Sequence, residues 1–323
     1  MAVMHRRTLS RPTVVSIVAG IAGIVGAAVI AVIPLGAGAP PAGRTFASPE
    51  DAVHALTDAV KAGKLDEVIA IFGPDGQDLV ASSDPATGRQ NREVFTVAVA
   101  EGWSLTSQGA NRRTLVIGNE GWPFPVPLVK AGTRWRFDTA AGKEEVLARR
   151  IGRNELAVIA TVRTYVDAQR SYARDGHDGK RAGLYAAAFA SDPGRQNGLY
   201  WAASRGQKPS PLGDLVAQAS AEGRALRENG PPPSPPFHGY YFKILTAQGG
   251  HVAGGAKSYL VDGELSDGFA LVAWPAQYDA TGVMTFVVNQ SGIVRQKDLG
   301  PETETVVRGM TRYDPDASWS EVR

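Results

Sequence analysis

The stretch Gly142–Arg174, GKEEVLARRIGRNELAVIATVRTYVDAQRSYAR, decides the fold of this chain. Its apolar residues recur at steps of three and four, which is typical of an amphipathic helix with one buried face. A helix rises about 1.5 Å per residue, so this run would be roughly 45 Å long. Because one ordinary domain cannot bury that length, we expect a break at Gly152 or a helix that serves two domains. The predicted buried face consists of Val146, Leu147, Ile151, Leu156, Ile159, Val162, Tyr165, Val166 and Tyr172.

Residues 1–46 have the pattern of an export leader followed by a tether. Residues 13–33 carry no charge, and Arg6, Arg7 and Arg11 precede them. About 20 apolar residues cross a bilayer, so the length favours a retained transmembrane anchor. The triplet at 37–39, Ala-Gly-Ala, is typical of a signal cleavage site, so a cleaved signal peptide stays open. In either case we expect an exported chain, anchored in the inner membrane facing the periplasm or secreted.

Composition excludes several classes of protein. The chain has 34 basic and 32 acidic side chains, and the three leader arginines account for its positive charge. The exported part is therefore close to neutral, and nucleic acid is not an expected partner. There is no cysteine, which excludes disulfides, thiol catalysis and cysteine-bound zinc.

The first predicted domain, residues 47–141, places helices before strands. Ser48 and Pro49 supply an N-cap and a proline at the first helical position, and an amphipathic helix follows. Strand patterns separated by glycine-containing turns come next, at 103–105, 113–117, 124–129 and 133–138. The order predicts an α+β domain in which helices cover a curved antiparallel sheet.

The second predicted domain, residues 142–323, changes from helical periodicity to a period of two. Strand patterns begin at Tyr240, Phe269 and Met284, and the third turns through 289–292 into a hairpin. We expect the helix to act as a spine packed on this antiparallel sheet, with residues 156–166 buried against it. Strands that are apolar on both faces need a second cover, for which the region 180–230 is our candidate.

Three resemblances follow from these motifs. NGLYW, SPLGDLVAQA, FHGYYFKILTAQG, GFALVAWPAQY, TGVMTFVVNQSGIVRQKDLG and MTRYDPDASW together resemble an uncharacterised bacterial family, domain of unknown function 2950. The first half, with SPEDAVHALTDAVKAGKLDEVIAIF and RWRFD, resembles the nuclear-transport-factor-two-like fold, which implies a cone-shaped sheet with a cavity. The second half, with NELAVIATVRTYVDAQRSYA, resembles the globular head of type IV pilins, although the leader lacks the pilin glutamate. The family resemblance implies an exported or envelope protein of two domains.

The chain carries no nucleophile elbow, phosphate loop, dinucleotide fingerprint or HExxH motif. We therefore assign no catalytic residue, cofactor or metal. Asp175 and Asp178 flank His177 in a turn that could hold a cation, although a polar turn without a metal is the simpler interpretation. His251 stands between glycines and is interpreted as part of an exposed loop. Ligand-binding candidates are a histidine next to a proline run and aromatic residues able to stack on sugar or peptide: His238, Tyr240, Tyr241, Tyr200, Trp201 and Trp135.

The functional prediction is an exported, envelope-attached, non-catalytic binding or assembly module. Its expected partners are the membrane, through the N-terminal segment, and an envelope protein or cell-wall glycan. The alternative is a small-molecule-binding or hydrolytic enzyme that uses a cavity of the N-terminal domain lined by Trp135.

Overall fold

A computed structural model describes residues 43–80, 85–202, 208–213 and 236–322. The predicted leader lies outside these residues. Helices are α1 Pro49–Lys61, α2 Leu65–Phe72, α3 Gln77–Val80, α4 Pro85–Glu101, α5 Thr139–Arg174 and α6 Thr303–Gly309, with a 3₁₀ turn at Pro74–Gly76. Strands are β1 Trp103–Ser107, β2 Arg112–Ile117, β3 Trp122–Pro123, β4 Leu128–Ala131, β5 Arg134–Phe137, β6 Tyr240–Leu245, β7 Ala247–Gln248, β8 Lys257–Ser258, β9 Leu260–Val261, β10 Glu264–Leu265, β11 Ala270–Pro275, β12 Met284–Asn289, β13 Arg295–Asp298 and β14 Ser320–Glu321. The fold is α+β, as the sequence predicts.

The N-terminal part consists of helices followed by an antiparallel sheet in the order β1-β2-β4-β5, with β3 paired to β2. The predicted cap of α1 is confirmed: Ser48 and Asp51 exchange side-chain-to-backbone hydrogen bonds of 3.0 and 3.1 Å, which satisfy two N–H groups at the start of the helix. Buried apolar residues between 46 and 137 form one cluster, which includes Leu56 of α1, Leu115 of β2 and Phe137 of β5. These contacts place α1 against the sheet.

Helix α5 is a single helix of 36 residues that begins after the N-cap Asp138. The predicted break at Gly152 is wrong, because the helix continues through this residue. The predicted buried face is correct from Val162 onward but wrong at two earlier positions. Leu156 is 62% exposed and Val146 is 40% exposed, whereas Val158 is fully buried. The helix therefore presents an exposed apolar side chain in its central part.

A second antiparallel sheet has the order β14-β13-β12-β11-β6. The predicted hairpin is confirmed, since β12 and β13 pair from Met284↔Asp298 to Val287↔Arg295. The central strands β11 and β12 are buried on both faces, as their double apolar pattern predicts. A second apolar cluster, drawn from residues 158–319, joins this sheet to the C-terminal half of α5.

Helix α5 covers the sheet face that carries Tyr240, and a carboxylate fixes the contact. Oε1 of Glu155 accepts hydrogen bonds from the backbone N–H groups of Val283 and Met284, each at 2.9 Å. Tyr240 donates its hydroxyl hydrogen to the Met284 carbonyl at 2.9 Å, and burial raises the pKa of this phenol. A Cβ on Gly282 would lie 2.0 Å from the Tyr240 hydroxyl, so only glycine permits this approach. These hydrogen bonds form a junction between α5 and β12, which fixes the start of β12 against the helix.

The opposite face of the sheet is covered by α6. Lys243 of β6 donates hydrogen bonds of 3.2, 3.0 and 2.7 Å to the carbonyls of Val307, Arg308 and Met310. These groups include the unsatisfied carbonyls of the last helical turn, where a cation is favourable. The region 180–230, the predicted second cover, lies partly outside the described residues. Within it, Ala186 bonds through both of its backbone groups to the side chain of Gln169 on α5.

Replacing Lys243 with methionine should lower the free energy of unfolding by about 2 kcal/mol, because three carbonyls lose a charged donor. Urea denaturation measures this change. Lys130→Met is the matched control, since Lys130 is exposed on β4. Equal midpoints for the two variants would contradict the capping role of Lys243.

None of the helices in the described ranges combines the length and apolarity needed to cross a membrane.

Candidate functional site

A cleft of about 530 Å³ lies among three loop segments of the C-terminal part. The first segment follows β7, the second is the hairpin turn between β12 and β13, and the third precedes β14. Polar side chains predominate in its lining, which consists of Gln248, His251, Val252, Ala253, Asn289, Gln290, Ser291, Ile293, Arg295, Tyr313, Pro315, Asp316 and Ala317. Convergent polar groups in a concave surface are the usual mark of a ligand site.

The first segment is held by the buried side chain of Gln248. Its amide nitrogen donates to the carbonyls of Ala253 and Gly255 at 3.1 and 2.7 Å, and its oxygen accepts from the Tyr259 hydroxyl at 3.0 Å. The side chain of Gln248 therefore holds the loop 249–255 in one conformation by hydrogen bonds on its inner side. The loop is fixed although it contains four glycines and little apolar surface.

Asp314 anchors the same loop from the third segment. Its Oδ1 accepts from the backbone N–H of His251 at 2.9 Å and lies 3.1 Å from Nδ1 of the same residue. A neutral imidazole that donates from Nδ1 keeps Nε2 as an acceptor. The carboxylate also comes within 2.0–2.4 Å of where a Cβ on Gly249 would stand, so position 249 requires glycine.

The hairpin turn supplies the floor of the cleft. Oδ1 of Asn289 accepts from the backbone N–H and the hydroxyl of Ser291 at 3.1 and 2.7 Å, which sets the turn. Arg170 of α5 donates to the Gln290 carbonyl at 3.1 Å and ties the turn to the helix. Oε1 of the Gln290 side chain is buried and, within the described part of the chain, has no hydrogen-bond partner. A Cβ on the buried Gly268 would lie 3.0 Å from this oxygen, so the oxygen lies in the interior beside Gly268, which is not part of the lining of the cleft.

Charged groups of both signs border this floor. Burial raises the pKa of the Tyr313 phenol, and the Arg295 guanidinium, which is hydrogen-bonded to it, acts in the opposite direction. Hydrogen bonds from Ser318 hold the pKa of Asp316 below its usual range, and the nearby charges of Lys297 and His251 add to this effect. The cleft therefore offers a guanidinium, a carboxylate and an imidazole. This set suits a small polar ligand that carries both donors and acceptors.

The predicted ligand residues Tyr200 and Trp201 lie elsewhere, beside the end of α5. Trp201 is buried, and its indole N–H donates to the Lys208 carbonyl at 3.2 Å. Its ring lies 5.4 Å from that of His177, which stacks on Tyr172 at 4.2 Å. Burial raises the pKa of Tyr172 to about 12. Tyr200 is partly buried against the same core.

The predicted residues on β6 do not share a face. Tyr240 is fully buried beneath α5, whereas its neighbour Tyr241 points to the other face and contacts the ring of Trp274 at 5.8 Å. His238 lies in a turn with φ of 48°, and its ring is 4.1 Å from that of Phe237. The structure therefore does not bring Tyr240 and Tyr241 into one stacking platform.

Trp135 belongs to the N-terminal core. It is 8% exposed, pairs by its backbone with Phe46, and lies 5.2 Å below the guanidinium of Arg113. The alternative enzymatic interpretation depends on this ring lining a cavity, which stays a prediction.

The polar turn at 175–179 is held by ion pairs. Asp178 accepts from Arg195 Nε at 3.0 Å and from the Gln196 backbone at 2.9 Å, and these contacts lower its pKa. Asp175 pairs with Lys208 at 3.2 Å. In the described ranges, no three acidic or histidine side chains cluster as a metal site would require.

Sequence reasoning missed the cleft because its residues come from three separate segments. His251 was interpreted as a loop histidine, and its side chain is indeed 62% exposed. The sequence contains one feature that indicates the cleft, a histidine beside glycines and two aspartates in the YDPDAS motif. In the fold His251 pairs with Asp314 of this motif, although the two lie about 60 residues apart in the sequence.

The structure has an α+β fold with a cleft, lined by polar side chains, at the hairpin end of its second sheet. A family model described as "Protein of unknown function (DUF2950)" matches residues 43–322, and the chain belongs to this family. A search of curated proteins found no match, and a search of solved structures likewise found none. The resemblances to the nuclear-transport-factor-two-like fold and to pilin heads stay predictions.

Proposed function

We propose that this chain is an exported, envelope-attached binding module and that its ligand occupies the cleft. The observation that carries the proposal is the convergence of His251, Arg295 and Asp316 on a cleft with a volume of about 530 Å³. The volume is in the range of small-molecule sites. Export and attachment are inferred from the uncharged run at 13–33 and the arginines before it.

The ligand class follows from the lining. A hydroxyl or amine of the ligand would donate to the Asp316 carboxylate, and an acidic or hydroxyl oxygen would accept from Arg295. Saccharides, amino acids and short peptides, the constituents of the cell wall, carry both kinds of group. A cell-wall fragment is therefore our proposed ligand, and the aromatic group near Trp201 is not required for binding it.

The test is a thermal-shift screen of full-length protein against amino acids, short peptides, monosaccharides and disaccharides. A ligand at about 100 times its Kd adds about 2.7 kcal/mol, which raises Tm by roughly 5 °C for a chain of this size. The shift should disappear in Arg295→Leu, which removes the guanidinium from the lining of the cleft. It should persist in the matched control Arg312→Leu, because Arg312 is exposed and lies outside that lining.

A shift that survives in Arg295→Leu would place the ligand elsewhere and overturn the assignment of the cleft. The absence of a shift with every compound would count against a cell-wall fragment. Pull-down from a membrane fraction tests the attached partner separately, and recovery of the protein alone would argue against a module that assembles with others.

A second candidate is hydrolysis in the same cleft, with His251 as a general base oriented by Asp314. The cleft also contains a hydroxyl, that of Ser291. Conversion of a bound compound that stops in His251→Gln while binding persists would favour this candidate.

A further inference from the structure

The outward side of α5 carries a surface that the cleft does not use. Four arginines occupy it at positions that fall within one side of the helix, about 26 Å long by helical rise. Exposed apolar residues lie beside them, since Leu156 is 62% exposed and Val146 is 40% exposed. We call this surface the arginine face: Val146, Arg149, Arg150, Arg153, Leu156 and Arg163.

The arginine face has a net positive charge. Arg149 pairs with Glu145 at 2.7 Å, and among the described residues no carboxylate pairs with Arg150, Arg153 or Arg163. The nearest acidic residue on the same side toward the C-terminus, Asp167, pairs with Arg170 at 3.5 Å. About three positive charges therefore stay uncompensated on a chain whose exported part is otherwise close to neutral.

An aromatic residue adjoins this charge. Trp122 of β3 is 47% exposed, and the Arg149 guanidinium lies 5.3 Å from its ring. Arg149 also donates to the Pro123 carbonyl at 2.9 Å, which fixes the pair at the N-terminal end of the face. Exposed tryptophan, leucine and arginine side by side are the composition of surfaces that rest at the level of lipid headgroups.

We propose that the arginine face lies against a bilayer surface that contains anionic phospholipid. Guanidinium groups bind phosphate through two parallel hydrogen bonds, and each arginine near an anionic surface contributes about fivefold to partitioning. The predicted tether, residues 34–44, spans at most about 38 Å when extended, so a retained anchor would keep the folded part within reach of the bilayer. The positive charge of the arginine face, its exposed apolar side chains and the length of the tether therefore all favour a bilayer as its binding partner.

The test exploits the absence of cysteine, which allows one label per molecule. Ala160 is exposed on the same side of α5, so Ala160→Cys carries a spin label into the proposed contact. Full-length protein is reconstituted into bilayers of phosphatidylcholine, with or without phosphatidylglycerol, that contain a nickel-chelating lipid. We expect relaxation of the label by the headgroup nickel only when phosphatidylglycerol is present. A label at Ala62→Cys, at the C-cap of α1, reports the background for an exposed site.

The triple variant Arg150→Gln/Arg153→Gln/Arg163→Gln should reduce the contact roughly 100-fold. The control Arg89→Gln/Arg181→Gln/Arg312→Gln removes the same charge from exposed arginines elsewhere and should leave the contact unchanged. Equal Tm values for the two triples confirm that both fold. Contact that is independent of phosphatidylglycerol, or lost equally in both triples, would overturn the proposal. Binding of an acidic protein or wall polymer without contact to the bilayer would also overturn it.

Discussion

Gly249→Ala should lower the free energy of unfolding by about 1–3 kcal/mol and weaken ligand binding by about tenfold or more. The new Cβ would stand 2.0–2.4 Å from the Asp314 carboxylate, so the carboxylate must move. It then loses its two contacts with His251, and the loop that forms one wall of the cleft is no longer fixed. Urea denaturation and titration with the ligand found by the thermal-shift screen measure the two effects.

The adjacent glycine provides the control. A Cβ on Gly250 would meet no atom within 4 Å, so Gly250→Ala adds the same methyl group to the same loop without a clash. We expect this variant to unfold and bind like the unmodified chain. If the two alanine variants behave alike, the Asp314 anchor does not shape the cleft.

Glu155→Ala should lower the free energy of unfolding by about 3 kcal/mol. The substitution leaves the N–H groups of Val283 and Met284 without their acceptor at the start of β12, and each unsatisfied group costs about 1–3 kcal/mol. The Tyr240 hydroxyl, whose oxygen lies 3.4 Å from the same carboxylate, keeps its bond to the Met284 carbonyl. For a chain of this size Tm should fall by roughly 5 °C.

Glu144→Ala is the matched control for Glu155→Ala. Glu144 lies on the same helix but is exposed, and the substitution should change the free energy of unfolding by less than about 0.5 kcal/mol. Similar losses in the two variants would show that helix propensity, rather than the junction with β12, determines the effect.

Local patterns predicted the elements of the fold well where burial and periodicity agree. The Ser48 cap, the hairpin through 289–292 and the doubly buried strands β11 and β12 were all recognisable, because each depends on neighbouring residues. The prediction of a break at Gly152 was wrong because a glycine costs a helix only about 1 kcal/mol, which the rest of a 36-residue helix outweighs. The prediction that Leu156 is buried was wrong because an apolar residue at a helical step need not face the core.

The cleft could not be predicted in the same way. Its parts are contributed by the loop after β7, by the β12–β13 turn and by residues 313–317, and only the folded chain brings them together. The aromatic candidates such as Tyr240 and Trp201 are instead buried, because large rings supply more apolar surface to a core than any other side chain.

The central claim is that the cleft binds a small polar ligand, and protection of a single thiol tests it most directly. Ser291 is exposed in the lining, and the chain has no cysteine of its own, so Ser291→Cys places one reactive thiol in the cleft. Ser104→Cys, on exposed strand β1, serves as the reference. We expect the compound that raises Tm to slow modification of the thiol at 291 by about tenfold at 10 times its Kd, without affecting the thiol at 104. An unchanged rate at 291 with a compound that stabilises the protein would contradict the assignment.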